Sequence, residues 1–200
     1  MLLKVLFVAI LIFVCAEGCT YKGLECPRYT VLEKHLDYEV RRYPSQTWAV
    51  TDEINRLGKA AELKASKRLT EYFEGKNNRS MNIPTTLPVR IKISHFNKYN
   101  HEVGFFIPSN LAKNPPRPID LRISIVEEPE TVYVVRPFSG YYSEILGVPD
   151  KTWEAEAKKL TEVVKDDTKI RKTSYYKVQY DKPSLFTESR NEIWMIKLVD

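Results

Sequence analysis

Two short segments of this chain are nearly the same and lie 95 positions apart. Residues 38–43 have the sequence Tyr-Glu-Val-Arg-Arg-Tyr, and residues 133–138 have the sequence Tyr-Val-Val-Arg-Pro-Phe. Each has the β-branched and aromatic content of a strand, and a helix-like stretch follows each at a similar distance. The sequence therefore predicts a strand-strand-helix-strand-strand unit that occurs twice about a pseudo-twofold axis. Clefts between such halves are good ligand sites.

The two expected helices carry apolar stripes at three- and four-residue spacings. The stripe of residues 54–74 consists of Leu57, Ala61, Ala65, Leu69, Tyr72 and Phe73. The stripe of residues 150–166 consists of Trp153, Ala157, Leu160, Val163 and Val164. Gly75 is a stop signal for the first helix, and Asp150 is the expected N-cap of the second. Three prolines make residues 113–118 a stiff connector between halves at about 26–110 and 119–200.

The first 18 residues have the features of a signal peptide. Lys4 supplies a positive start, residues 5–16 are apolar, and small residues precede Cys19. The apolar run is shorter than the roughly 20 residues that a spanning helix needs, which disfavours an uncleaved anchor. A bacterial lipoprotein would carry its lipid on Cys19, but Glu17 suits the cleavage that this requires poorly. We expect a secreted, extracellular protein whose single domain covers residues 19–200, with no membrane span after signal removal.

The net charge of +5 comes from 31 basic and 26 acidic residues. Basic residues occur in ones and twos along the chain. A nucleic-acid partner would need a concentrated basic stripe with interleaved aromatic residues, so we expect none. The charge favours a mild attraction to anionic ligands.

Two further features fit an extracellular chain. Cys19 and Cys26 remain after signal removal, and their spacing favours a small disulfide-closed loop. The alternative is a pair of free or intermolecular thiols. Asn78-Arg79-Ser80 is an N-glycosylation acceptor, which predicts an exposed loop around Asn78.

Catalytic and metal-binding patterns are missing from the sequence. The three histidines, His35, His95 and His101, lack the further ligands of a structural zinc site, so we interpret them as surface residues. The chain has no Gly-x-Ser-x-Gly, His-Glu-x-x-His or Gly-rich phosphate loop. We expect a binding protein without a metal site, not an enzyme.

One position departs from the amphipathic pattern of the first helix. Leu63 lies away from the apolar stripe and beside Ser66, Lys67 and Thr70. An exposed Leu is unremarkable alone. Next to Lys67, it offers an apolar contact together with a cation for a carboxylate-bearing ligand.

Several segments, in order, resemble the SOUL family of heme-binding proteins. They cover about residues 26–198 and are residues 38–43 followed by Trp48, then residues 72–77, 114–118, 138–141, 179–183 and 190–194. The resemblance implies an α+β fold: a distorted antiparallel β-barrel with two helices, built from two similar halves. It also implies a shallow apolar groove along the first helix that accepts heme or another tetrapyrrole.

Carried over by position, the resemblance places the ring against Leu63, Ser66, Lys67 and Thr70. A loop containing Leu185 and Phe186 would close over it. Our own inference adds Arg41, Arg42 and Lys67 as candidate partners of the heme propionates.

The chain departs from the family pattern at two positions. Arg42 stands where one branch has a histidine proposed as the iron ligand, and a protonated guanidinium cannot ligate iron. Leu185 stands where some members have a lysine. Two functions therefore remain open. One is a secreted, reversible carrier or scavenger of heme or a related porphyrin, and the other is an interaction protein that kept the fold but lost the ligand. An open apolar groove favours the first, and a collapsed or charge-filled one favours the second.

Overall fold

The computed structural model of this chain describes residues 19–54, 58–94, 100–145 and 147–199. Two helices and a large curled antiparallel sheet form a half-barrel, which confirms the predicted α+β class. The strands are β1 (Cys19–Tyr21), β2 (Leu24–Cys26), β3 (Thr30–Lys34), β4 (Glu39–Tyr43), β5 (Gln46–Ile54), β6 (Val89–Ser94), β7 (Asn100–Phe106), β8 (Ile123–Glu128), β9 (Thr131–Gly140), β10 (Ser174–Gln179) and β11 (Ser189–Lys197). The helices are α1 (Gly58–Phe73) and α2 (Asp150–Val163).

The pseudo-twofold repeat is visible in the strand order, β3-β4-β9-β11-β10-β6-β7-β5-β8. If β4 is exchanged with β8, β5 with β9, β6 with β10 and β7 with β11, the part of this order from β4 to β8 becomes the same order read in the opposite direction. The helices obey the same exchange, because α1 packs on β5 and β7 while α2 packs on β9 and β11. The predicted strand-strand-helix-strand-strand unit therefore occurs twice, and β3 is an additional edge strand.

The two similar segments that suggested the repeat, residues 38–43 and 133–138, do not occupy equivalent positions in the two repeated units. They lie in β4 and β9, which are neighbours paired antiparallel, with Val40 opposite Val134. The equivalent of β9 is β5. The two segments are similar because both strands face the same environments. Val40 and Val134 pack in the core under α2, whereas Tyr43 and Tyr133 lie in the aromatic cluster on the other face.

The apolar stripes of the helices are largely confirmed. On α1, Ala61, Ala65, Leu69, Tyr72 and Phe73 are buried, while the predicted stripe residue Leu57 lies outside the described residues. On α2, Trp153, Ala157 and Leu160 are buried, and Val164 is buried just beyond the helix end. Val163 was also expected in the core, but it is the last residue of α2 and is 48% exposed.

The expected N-cap of α2 is one residue off. Pro149 occupies that position, and Asp150 is the first helical residue. The Asp150 carboxylate instead accepts a hydrogen bond from the Lys177 ammonium at 2.7 Å. A carboxylate in the first helical turn still interacts favourably with the helix dipole.

A buried group of charges joins the two halves. The Lys177 ammonium on β10 also donates to Glu62 of α1 at 2.9 Å, and both side chains are less than 10% exposed. Burial alone would raise the pKa of the Glu62 carboxyl, but contacts from His101 and Lys177 outweigh it and lower that pKa. His101 is also buried, with Nδ1 at 3.4 Å from Glu62 Oε1. The surface position predicted for this histidine is therefore wrong, because its side chain packs between α1 and the sheet.

The amino-terminal strands form a separate two-stranded hairpin. Cys19 pairs with Cys26 in its ladder, and a disulfide joins them, which confirms the predicted bridge. The turn residues Lys22 and Gly23 both have positive φ, as a type I′ turn requires. Within the described part of the chain, no helix has the length and apolar character needed to cross a membrane.

Candidate functional site

An apolar cleft of about 720 Å³ lies at the carboxyl end of α1. Its volume falls within the range of about 300–1,000 Å³ that is typical of small-molecule sites. The walls come from the last turn of α1, the segment before β6, Phe105 of β7, the segment after β10 and the hairpin. Their apolar members include Leu24, Phe73, Leu87 and Val89.

The way α1 ends creates the space beside its last turn. Gly75 has a φ of +103°, a conformation that stops the helix at little cost only for glycine. Asn77 is buried, and its side-chain amide donates to the carbonyl oxygens of Tyr72 and Met81. The chain then returns along the helix end, where the Ile83 amide donates to the Phe73 carbonyl at 2.8 Å. Residues 82–89 thereby become one wall of the cleft.

The segment after β10 and the hairpin are held together at the opposite wall. Asp181 accepts hydrogen bonds from Tyr21 Oη at 2.8 Å, from Lys22 Nζ at 2.6 Å and from the Arg190 amide at 2.9 Å. Burial raises the pKa of the Asp181 carboxyl, but these donors outweigh burial and lower it. The carboxylate is therefore ionised at neutral pH and ties two walls of the cleft to each other.

The predicted helix face leads towards this cleft. Leu63, Ser66, Lys67 and Thr70 follow one another at helical spacing on α1, and Leu63 is 61% exposed. Thr70 lines the cleft. Lys67 is exposed and has no ion-pair partner among the residues that the structure describes. The structure thus brings this set together on one face and connects it to the cleft through Thr70.

The predicted closing loop lies beside the same helix. Pro183 lines the cleft. Gly147 lies between this loop and α1, since a β-carbon placed on Gly147 would be 3.9 Å from Pro183 and 2.7 Å from the Lys59 ammonium of α1. Further along this loop, Leu185 and Phe186 are 61% and 88% exposed. Both side chains are available to an apolar ligand, although neither lines the cleft as it stands.

The structure does not bring the two arginines to α1. Arg41 lies on the face of the sheet opposite the helices, is 3% exposed, and pairs with Glu39 and Glu192. Arg42 points the other way by strand alternation and pairs with Glu130 at 3.5 Å. Both lie on β4, which belongs to the α2 side of the sheet. Lys67 is the one predicted cation that shares a face with the ring-contact residues.

The usual side-chain ligands of a heme iron are His, Cys, Met and Tyr. The cleft lining in the described part of the chain contains no His, Cys or Met. The lining residue Tyr180 is buried, and burial raises the pKa of its phenol well above the usual value. Forming the tyrosinate that an iron atom would bind is therefore less favourable here than in an exposed tyrosine. Elsewhere in the described chain, no group of three or more His, Cys, Asp or Glu side chains is placed to hold a metal ion.

Asn78 is exposed, as expected of a glycosylation acceptor. Its amide donates to the Arg117 carbonyl at 2.9 Å, and its Oδ1 accepts from the Arg117 amide at 2.7 Å. The first bond is made by the Asn78 backbone, and the second holds the side chain through its oxygen, so Nδ2 has no partner among the described residues.

Sequence reasoning missed the hairpin and the neighbouring lysine as parts of a site. Lys22 and Leu24 line the cleft from the hairpin, and Lys182 lines it from the segment after β10. The sequence signal for the first two was the pair of cysteines around Lys22-Gly23. We interpreted that pair only as a bridge, because nothing in the sequence tells where a small hairpin docks.

The half-barrel with its two symmetry-related helices is accompanied by a match to a known family. The family model described as "SOUL heme-binding protein" matches residues 24–196, and the chain belongs to this family.

Among named relatives, the chain is 27% identical to Heme-binding protein 2 of Homo sapiens, over 91% of this chain and 90% of that protein. It is 26% identical to Heme-binding protein 1 of Sus scrofa, over 82% of this chain and 86% of that protein. A solved structure, described as a hydrolase from Listeria innocua, matches 83% of this chain and 94% of its own with a TM-score of 0.50. Its sequence identity is 10%, so the likeness concerns the fold alone.

Proposed function

We propose that this chain is an extracellular, non-enzymatic protein that binds heme or a related porphyrin reversibly, as a carrier or scavenger. The observation that carries the proposal is the apolar cleft of about 720 Å³ at the end of α1, in a chain of the SOUL family. The open cleft also favours this function over the interaction protein that has lost its ligand.

The ring would lie in the cleft and extend along the helix face from Thr70 towards Leu63. Aromatic and aliphatic side chains such as Phe73 and Phe105 suit a planar apolar ring. Three exposed lysines, Lys22, Lys67 and Lys182, are candidate partners for the two propionates. Lys22 and Lys182 replace Arg41 and Arg42 in this role, because they line the cleft.

Affinity in this arrangement comes from apolar contact and propionate charge, without a histidine bond to iron. Such binding is reversible and tolerates a porphyrin that lacks iron. A catalytic heme generally needs a defined axial ligand and distal pocket, so the lining supports a binding role.

Three features support an extracellular location. Residues 1–18 have the composition of a signal peptide, Asn78 is an exposed acceptor, and the Cys19–Cys26 disulfide suits an oxidising compartment. Protein collected from the medium of expressing cells should begin at Cys19. It should also lose mass when treated with an enzyme that removes N-linked glycans.

The test is a heme titration of this secreted protein, followed by absorbance. We expect a saturable one-to-one change that Leu63→Asp weakens about three- to tenfold, since it puts a charge against the ring. The matched control is Val163→Asp, which changes another half-exposed apolar residue on α2 and should leave the affinity unchanged.

The outcomes separate the two functions. No saturable change at tens of micromolar would contradict porphyrin binding and favour the interaction protein. In that case the exposed pair Leu185 and Phe186 would be the first surface to examine for a protein partner.

A further inference from the structure

The hairpin of β1 and β2 is a wall of the cleft that does not belong to the main sheet. Its two strands form a sheet of their own, and each has three residues. Lys22 and Leu24 line the cleft from this hairpin. The wall therefore depends on the internal stability of a very small element.

A two-stranded hairpin is marginal in water by itself. In this hairpin the Cys19–Cys26 disulfide joins the two strands at the end away from the turn. Cys26 is fully buried against the aromatic cluster. The disulfide prevents the two strands from separating, because it joins the residues that pair at the end of the ladder. Without it, the remaining internal restraints are the turn and a few backbone hydrogen bonds.

The hairpin is docked on the cleft by contacts at both of its strands. Tyr21 and Lys22 hold Asp181 on the neighbouring wall, and the Tyr21 ring packs edge-on against Tyr180 at 5.5 Å. From β2, the Glu25 carbonyl accepts from the Leu87 amide at 2.9 Å, which fixes the hairpin to the wall before β6. The contacts of Tyr21 and Lys22 need β1 and the turn in their native positions, whereas the Glu25 carbonyl holds β2.

We propose that the Cys19–Cys26 disulfide is a redox gate for the porphyrin cleft. A thiol reductant attacks one sulfur, and the other leaves as a thiolate and takes up a proton. A second thiol of the reductant then resolves the mixed disulfide, so the protein gains two thiols and the reductant becomes a disulfide. The freed strands separate, Lys22 and Leu24 leave the cleft, and the ligand is lost.

The gate rests on the proposed porphyrin binding. It adds a difference between the compartment where the ligand is held and the compartment where the ligand is released. The hairpin wall is intact where disulfides persist, and it comes apart where thiols are kept reduced. The chain would thus hold its ligand outside cells and release it in a reducing compartment.

The experiment compares one protein in two redox states. Iron-free protoporphyrin IX is titrated by fluorescence into the secreted protein, oxidised or reduced with dithiothreitol, because thiols would ligate a heme iron. We expect at least tenfold weaker binding after reduction, together with two titratable thiols per chain. The Cys19→Ser/Cys26→Ser variant should bind like the reduced protein and ignore dithiothreitol. Circular dichroism should show that the main fold persists in both cases.

A second variant separates the effect of the Lys22 side chain from the effect of the disulfide. Lys22→Ala in the oxidised protein removes the contact with Asp181 and one proposed propionate partner but keeps the strands joined, and should weaken binding only about threefold. Affinities that agree within twofold before and after reduction would refute the gate while leaving porphyrin binding intact. Failure of the oxidised protein to bind would refute the proposed function, and the gate with it.

Discussion

The ends of α1 and α2 occupy equivalent places in the pseudo-twofold fold, yet the chain treats them differently. After α2, residues 164–173 fold straight back, and Val164 and Ile170 fill the core beside the helix. The Arg171 amide then donates to the Ile196 carbonyl of β11. After α1, the longer connection of residues 74–88 leaves a space beside the helix end, which the hairpin borders.

A symmetric scaffold acquires a site where its symmetry is broken. The repeated unit supplies two equivalent helix ends, and neither is a cleft by topology alone. The end of α1 becomes a cleft because the connection after it is longer and because the amino-terminal hairpin supplies one wall. Substitutions at one helix end, with matched substitutions at the other as controls, test this difference.

The largest effect is expected from truncating the core under each helix. Leu69 on α1 and Leu160 on α2 are both fully buried, so Leu69→Ala and Leu160→Ala should each lower the free energy of unfolding by about 2–5 kcal/mol. Urea unfolding measures this loss. Only Leu69→Ala should also weaken porphyrin binding, because Leu69 precedes the cleft residue Thr70. An equal loss of affinity in both variants would contradict the assignment of the site to the α1 end.

A smaller effect is expected from filling the cleft. Thr70→Trp places a large ring among the lining residues and should weaken porphyrin binding about tenfold, with little change in stability. Thr161→Trp is the matched variant near the end of α2 and should leave binding unchanged. Fluorescence titration of both proteins measures the difference. A Thr70→Trp protein with normal affinity would place the ligand elsewhere.

The smallest effect is expected from two lysine–aspartate pairs, one beside each helix end. Asp181 pairs with Lys22 at 2.6 Å, and Asp167 pairs with Lys197 at 2.7 Å. The pKa of each carboxyl is lowered from 3.8, so each pair stabilises the folded state above about pH 4 and loses this effect as the pH falls through the folded pKa.

Asp181→Asn and Asp167→Asn should therefore each lower the urea midpoint by about 0.2–0.4 M near neutral pH. The difference from the unmodified protein should shrink as the pH falls below 3.8, where the native carboxylates also become protonated. Only Asp181→Asn should weaken porphyrin binding, since it removes the ion pair that helps to hold the hairpin at the cleft. A midpoint difference that grows in acid would show that the carboxylates are not ionised partners.

Local patterns predicted the elements of this fold well. The stripes of α1 and α2, the stop at Gly75 and the disulfide were all readable, because each depends on residues close together in sequence. The echo between the segments at 38–43 and 133–138 was real but misassigned. Strands that pair can share environments as closely as strands related by symmetry, and sequence alone does not distinguish the two cases.

The site was only partly readable for a related reason. Helical spacing was enough to place Leu63, Ser66, Lys67 and Thr70 on one face. The positions of Lys22, Leu24 and Lys182 depend on where a hairpin and a loop dock, which is a long-range property. Arg41 was offered as a ligand partner because its charge was visible, whereas the burial that pairs it with Glu192 was not.

The buried Lys177 ammonium has a consequence for how a ligand can enter. It bridges Glu62 of α1 and Asp150 of α2, so one cation anchors both helices to the middle of the sheet. Separating the helices would strip a buried charge of its partners, which typically costs several kcal/mol. Lys177 therefore opposes a separation of the two helices when a ligand binds. A ligand of the cleft would accordingly enter over the rim that the hairpin and the segment after β10 form.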